Sequence, residues 1–275
     1  MLVRPRNPYR LVRCAAMVIV VSFGLLAITG TGGGGGGGGG AAGPVAIEGI
    51  WRGSKTRTVY LCIIFICTPD HKVSSRASAL ASKSGKIHLL PWDVVNSSGP
   101  GGLVSQNFAG SVQVSGSAVT GTIRGTCDPL DGAPVFGHIF VDGSVASGVA
   151  LDLDYSLDEC IGSGTFNLDF YKASEKSATL DRIKGQWSSG TVTLNVDKEG
   201  SYTGATGAGC QLSGSMRPAS SKVNIYDANV SLENCGFING AYSGLAGVFP
   251  DRSDIETLVI SASGNGRTIS IVVKR

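Results

Sequence analysis

Ala150-Leu151-Asp152-Leu153-Asp154-Tyr155-Ser156-Leu157 alternates polar and apolar residues. Successive side chains of a strand point to opposite faces. Period two therefore puts Leu151, Leu153, Tyr155 and Leu157 on one face and Asp152, Asp154 and Ser156 on the other. Working outward, alternating, β-branched or aromatic stretches recur at Thr58 to Cys67, Gly110 to Val114, Val119 to Ile123, Val135 to Val141 and Thr165 to Tyr171. They continue at Thr191 to Val196, Val223 to Leu232, Leu258 to Ala262 and Thr268 to Val273. Clusters of Gly, Ser, Asn and Asp separate them. Gly264-Asn265-Gly266 is a hairpin signal, because Asn-Gly accepts the positive φ values of a tight turn. Short strands at this spacing predict an all-β fold of antiparallel barrels or sandwiches.

The N-terminus reads differently. Arg4, Arg6, Arg10 and Arg13 precede an apolar run from Ala15 to Ile28, the pattern of a secretory signal. The run is short for a membrane span, which needs roughly 20 apolar residues, although Cys14, Gly30 and Thr31 extend it toward an uncleaved anchor. Ile28-Thr29-Gly30-Thr31 has the shape of a lipobox with Thr31 in place of cysteine. A hydroxyl does not replace the thiolate that accepts a diacylglycerol, so lipidation is not expected there. Gly32 to Gly40 is an unbroken glycine tract that buries no side-chain surface and forms a flexible tether. The organisation predicted is a signal peptide or membrane anchor at 1–31, a Gly-rich linker at 32–47, and β units at 48–178 and 179–275. Ser174 to Lys184 reads as a polar connection with one helical turn.

Charge supports this division. The whole chain carries a formal +3. Without the four arginines before residue 14, the 23 basic residues fall to 19 against 20 acidic ones. The remainder has no positive excess to neutralise phosphates, which argues against nucleic acid as a partner.

Six cysteines follow the leader: Cys62, Cys67, Cys127, Cys160, Cys210 and Cys235. An even number in an exported chain reads as disulfides. Ser156-Leu157-Asp158-Glu159-Cys160 matches Ser231-Leu232-Glu233-Asn234-Cys235, and each is preceded by a cysteine in a Gly/Thr-rich segment. The expected bridges are Cys127–Cys160 and Cys210–Cys235, each closing a local sheet, with Cys62–Cys67 by elimination. On one straight strand Cys62 and Cys67 would lie about 16 Å apart, beyond the roughly 7 Å limit, so either a turn separates them or one stays free.

Gly49-Ile50-Trp51 and Gly185-Gln186-Trp187 open the two units, placing a large ring where each sheet begins. The same Gly-x-Trp start occurs in lipocalin-type barrels. The poly-Gly tract behind Ile28-Thr29-Gly30, the Gly-x-Trp starts and the run Gly207-Ala208-Gly209-Cys210-Gln211-Leu212-Ser213-Gly214-Ser215 form one set of features. To these add Asn224-Ile225-Tyr226, Tyr242-Ser243-Gly244-Leu245-Ala246 and a final apolar strand ending in a basic residue. Together they resemble poorly characterised proteobacterial lipoproteins with a glycine-rich linker, over the leader and the last 90 or so residues. The chain departs from that group at Thr31 and from Val59 to Cys67. The resemblance implies an envelope location and this architecture, and no chemistry.

Catalytic motifs are absent: there is no Gly-x-Ser-x-Gly, His-Glu-x-x-His, P-loop or dinucleotide fingerprint. His71 sits in a polar stretch, and His88 and His138 fall in strand patterns. With no CxxC and scattered histidines, no zinc site is expected. Asp152 and Asp154 read as a solvated strand face rather than a calcium loop. No catalytic, cofactor or metal residues are assigned. The expected protein is a non-enzymatic binding or structural module of the periplasm or cell envelope. Its partner would be an envelope component or small ligand, and it would touch the membrane only through its N-terminal segment. The alternatives are a lipocalin-like carrier of small hydrophobic ligands and a hydrolase with dispersed carboxylates.

Overall fold

The computed structural model describes residues 46–275 except 64–65, 93, 95–101, 105–106, 128–134, 158–161 and 251–254. The strands are β1 (Gly49–Ile63), β2 (Ile66–Ala81), β3 (Lys86–Leu90), β4 (Leu103–Val104), β5 (Phe108–Ser115), β6 (Ala118–Cys127), β7 (Val135–Ala146), β8 (Ala150–Leu157) and β9 (Ser163–Phe170). After a 3₁₀ turn (Lys172–Ser174) and the single-turn α1 (Leu180–Ile183) come β10 (Gly185–Ser189), β11 (Val192–Val196), β12 (Ser201–Thr206) and β13 (Gln211–Pro218). The chain ends with β14 (Ile225–Glu233), β15 (Gly240–Pro250), β16 (Glu256–Gly264) and β17 (Arg267–Lys274).

These strands form two closed eight-stranded antiparallel barrels, deciding for barrels over sandwiches. In the first, β1-β2-β3-β5-β6-β7-β8-β9 follow one another and β9 closes on β1 from Trp51↔Phe170 to Thr58↔Ser163. In the second, β10 to β17 do the same and close through Ser188↔Lys274. That closure is short, because β10 has five residues and reaches only the last turn of β17. The open stretch of β17 is taken by β4, from between β3 and β5 of the first barrel, at Leu103↔Ile271 and Val104↔Ser270. The Val272 N–H also donates to the Gly102 carbonyl at 3.2 Å. A sheet edge of unpaired N–H and C=O groups is thus completed by the neighbouring barrel.

Eight strands leave an interior just wide enough for side chains to fill. Trp51, Phe108, Tyr155 and Phe166 belong to the apolar core of the first barrel, and Trp187, Tyr202, Tyr226 and Tyr242 to that of the second. Both tryptophans are fully buried and fixed in the same way. Trp51 Nε1 donates to the Ile47 carbonyl at 2.9 Å, and Trp187 Nε1 to the Ile183 carbonyl at 2.7 Å. The repeated unit is therefore Ile-x-Gly-x-Trp. Its glycines, Gly49 and Gly185, have φ of 155° and 111°, which residues with a Cβ rarely adopt. Arg275 closes the second plug, its guanidinium 4.3 Å from the Trp187 ring and paired to Glu256 at 2.5 Å.

A third apolar cluster joins the barrels. Ile50, Leu80, Leu90 and Val94 of the first pack on Leu245, Phe249, Val259 and Val272 of the second. The strands involved are buried on both faces, which is why Leu258-Val259-Ile260 and Ile271-Val272-Val273 are unbroken apolar runs while β8 and β11 alternate. Both barrels accordingly belong to one compact unit, Ala42–Arg275.

The β1–β2 ladder outruns the barrel. β1 pairs with β9 only to Thr58 and β2 with β3 only from Ser78, so Val59 to Ala77 pair only across their own hairpin among the described residues. In that ladder Cys62 lies directly opposite Cys67. The antiparallel pairing removes the distance objection, since opposed residues of antiparallel strands have Cα atoms about 4.5 to 5.5 Å apart. Their side chains lie outside the described residues. Peptide mapping without reductant is expected to recover Cys62 linked to Cys67; both thiols alkylated in the unreduced protein would contradict this.

Candidate functional site at the seam of the barrels

The expected Cys210–Cys235 disulfide is present, with Cα atoms 4.6 Å apart. The two cysteines flank the end of the β13–β14 ladder at Gln211↔Glu233, closing a local sheet as expected. Cys160, and the side chain of Cys127, lie outside the described residues, so the Cys127–Cys160 pairing does too. The local sequence likeness that suggested both bridges falls after unlike strands. Cys235 follows β14, the fifth strand of its barrel, and Cys160 follows β8, the seventh of its own.

The three histidines sit apart. His71 is exposed against Asp70 at 2.8 Å. His138 lies on β7 opposite Arg124 of β6. His88 is buried in the seam, its Nδ1 2.9 Å from Ser261 Oγ. Asn107 Nδ2 also donates to Ser261 Oγ, and at 3.2 Å to the Ile269 carbonyl. Thr268 Oγ1 donates to the Asn107 carbonyl at 2.9 Å. Burial, helped by the charge of Lys86, lowers the His88 pKa to about 3, so the ring is neutral at any ordinary pH. A serine against a neutral imidazole is the beginning of a nucleophile arrangement. Here His88 and Ser261 are 3% and 0% exposed, and the pair serves as a polar lock between barrels.

Asp152 and Asp154 are exposed on β8, with Asp142 of β7 opposite Asp154. This is the solvated strand face that the alternation predicts. Among the described residues no three His, Cys, Asp or Glu side chains converge to hold a metal.

Outside the polar lock the seam opens into a cleft of about 360 Å³. Gly110, Thr122 and Arg124 of β5 and β6 form one wall, and Ser263, Asn265 and Arg267 around the β16–β17 turn form the other. Asn265 and Gly266 have φ of 52° and 70°, the tight turn read from the sequence, and this turn projects the second wall. Arg267 lies 5.0 Å from the Phe237 ring and 5.9 Å from that of Phe136, a side chain of the other barrel. Phe237 is 78% exposed. Neither Arg124 nor Arg267 is in an ion pair among the described residues. A second hollow of about 540 Å³, beside Ile47, Lys83 and Val112, draws its walls from the first barrel and the segment leading into it.

Sequence reasoning missed this cleft. It marked the Asn265 turn as a hairpin, but nothing local to Arg124 announces that a turn about 140 residues later will face it. No family model, no curated protein and no solved structure matches the chain.

Proposed function

We propose that the chain is an exported, non-enzymatic binding module of the cell envelope that holds its ligand in the cleft between its barrels. The observation that carries this reading is the third core. It joins two filled barrels and so fixes the two walls of the cleft relative to one another. Export is supported by the basic-then-apolar leader and by the Cys210–Cys235 bridge, which suits an oxidising compartment.

The lipocalin-like carrier is the second reading, favoured by the paired Gly-x-Trp plugs. It needs an interior cavity, and against it stand the large aromatic side chains in the apolar core of each barrel. Amide NMR on the isotopically labelled chain, titrated with a small-molecule fragment library, separates the two. Shifts clustering at residues 122–124 and 263–267 are expected. Shifts confined to inward-facing residues such as Tyr155 or Tyr202 would replace this reading with the carrier. Shifts at neither place would remove the binding reading.

A further inference from the structure

We infer that the cleft between the barrels takes an acidic saccharide, with the carboxylate on its arginines and the sugar ring on Phe237. This rests on the binding reading above and specifies its ligand.

Three observations converge. First, Arg124 and Arg267 bring two guanidiniums to one cleft from opposite barrels, and no carboxylate lines it. A planar guanidinium binds a carboxylate through two parallel N–H donors, and this fork distinguishes it from a simple positive charge. The 230 residues from 46 onward carry no positive excess, so this concentration is local rather than a reflection of general basicity.

Second, Arg267 already has aromatic partners. Its guanidinium lies within cation–π distance of Phe136 of the first barrel and Phe237 of the second, contacts that leave less rotamer freedom to be lost when an anion binds. The outer ring, Phe237, is the most exposed large apolar side chain among the described residues. An aromatic face held in water beside a cation offers an apolar platform to a ligand that has a ring as well as a charge.

Third, the remaining polar lining is neutral. Thr122, Ser263 and Asn265 supply hydroxyl and amide groups that both donate and accept. That inventory suits hydroxyls spaced around a sugar, which use both its donors and its acceptors, whereas a bare anion would use only the donors.

The test is calorimetry on the full chain with three probes: an oligomer of glucuronic acid, a neutral glucose oligomer of the same length, and inorganic phosphate. The acidic oligomer is expected to bind, with affinity falling as salt screens the charges. The neutral oligomer and phosphate should each bind at least about tenfold more weakly, since each lacks one of the two contacts. Arg124→Gln and Arg267→Gln should each weaken the acidic oligomer by about tenfold, a typical loss for a charge-assisted hydrogen bond. Phe237→Ala should weaken both oligomers by more than it weakens phosphate, which loses only the ring's hold on Arg267. Melting temperatures within a degree or two of the parent would show that the variants are folded. Equal affinity for the neutral oligomer, equal affinity for phosphate, or arginine variants that bind as the parent does would each overturn the inference. If the acidic oligomer fails while neutral fragments still shift residues 263–267, the ligand class is wrong and the binding cleft stands. If nothing shifts those residues, both readings fall.

Discussion

Replacing Cys210 and Cys235 together by alanine is expected to lower the stability of both barrels, by about 3 to 4 kcal/mol. The bridge spans a sequence separation of 25, and closing a loop of that size restricts the unfolded chain by roughly this amount. A typical domain has only about 5 to 15 kcal/mol in total, so the loss is large. The bridge lies wholly within the second barrel, yet its removal should not stay there. The second barrel presents Leu245, Phe249, Val259 and Val272 to the first, and burying each such side chain stabilises by about 1.5 to 3 kcal/mol. The first barrel in turn gives β4 to the edge of β17. Neither barrel can unfold without exposing this shared surface, so denaturant should unfold the chain in one transition. Hydrogen exchange under mild denaturant checks this directly. Amides of β6 to β8 and of β12 to β14 should lose protection together in the double variant. Loss confined to β12 to β14 would mean that the seam does not couple the barrels.

What the sequence made legible, and what it did not, divides along the reach of the signal. Strands solvated on one face declare themselves by alternation, and Ala150 to Leu157 and Thr191 to Val196 were read correctly from period two alone. The tryptophan plugs are visible as Gly-x-Trp, whereas Ile47 and Ile183 hold the indoles through backbone carbonyls, which any residue could supply. Cys210–Cys235 follows from the likeness of Ser231–Cys235 to Ser156–Cys160, and the structure adds that its residues flank a single hairpin. The seam was missed for a physical reason. A strand buried on both faces loses its alternation, so Leu258-Val259-Ile260 looked like any apolar strand and gave no hint of a second layer. β4 has two residues, too few for any period, and its partner lies more than 160 positions later. The candidate site suffered most, since Arg124 and Arg267 become neighbours only through that seam.

His88 places a measurable proton in the same seam. Its pKa falls from the ordinary 6.5 to about 3, first because burial disfavours the imidazolium and second because Lys86 repels it. The unfolded chain therefore binds a proton below pH 6.5 that the folded chain refuses until about pH 3. Stability rises with pH wherever the unfolded state holds more protons, so this group leaves stability untouched above pH 6.5. As the pH falls below that value it removes up to about 1.4 kcal/mol per unit, and the loss levels off near the folded pKa. Between pH 7 and pH 5 the loss from this residue alone is about 2 kcal/mol. His88→Leu isolates it. Ser261 keeps its hydrogen bond from Asn107, the apolar seam accepts a leucine, and every carboxylate titrates as before. At pH 7 the variant is expected to lose about 1 kcal/mol with the hydrogen bond from the ring. By pH 5 it should equal or exceed the parent, because it has no buried base to charge. Urea unfolding at pH 7, 6 and 5 reads the difference directly. Parallel pH curves for parent and variant would show that His88 is not the group linking the seam to protons.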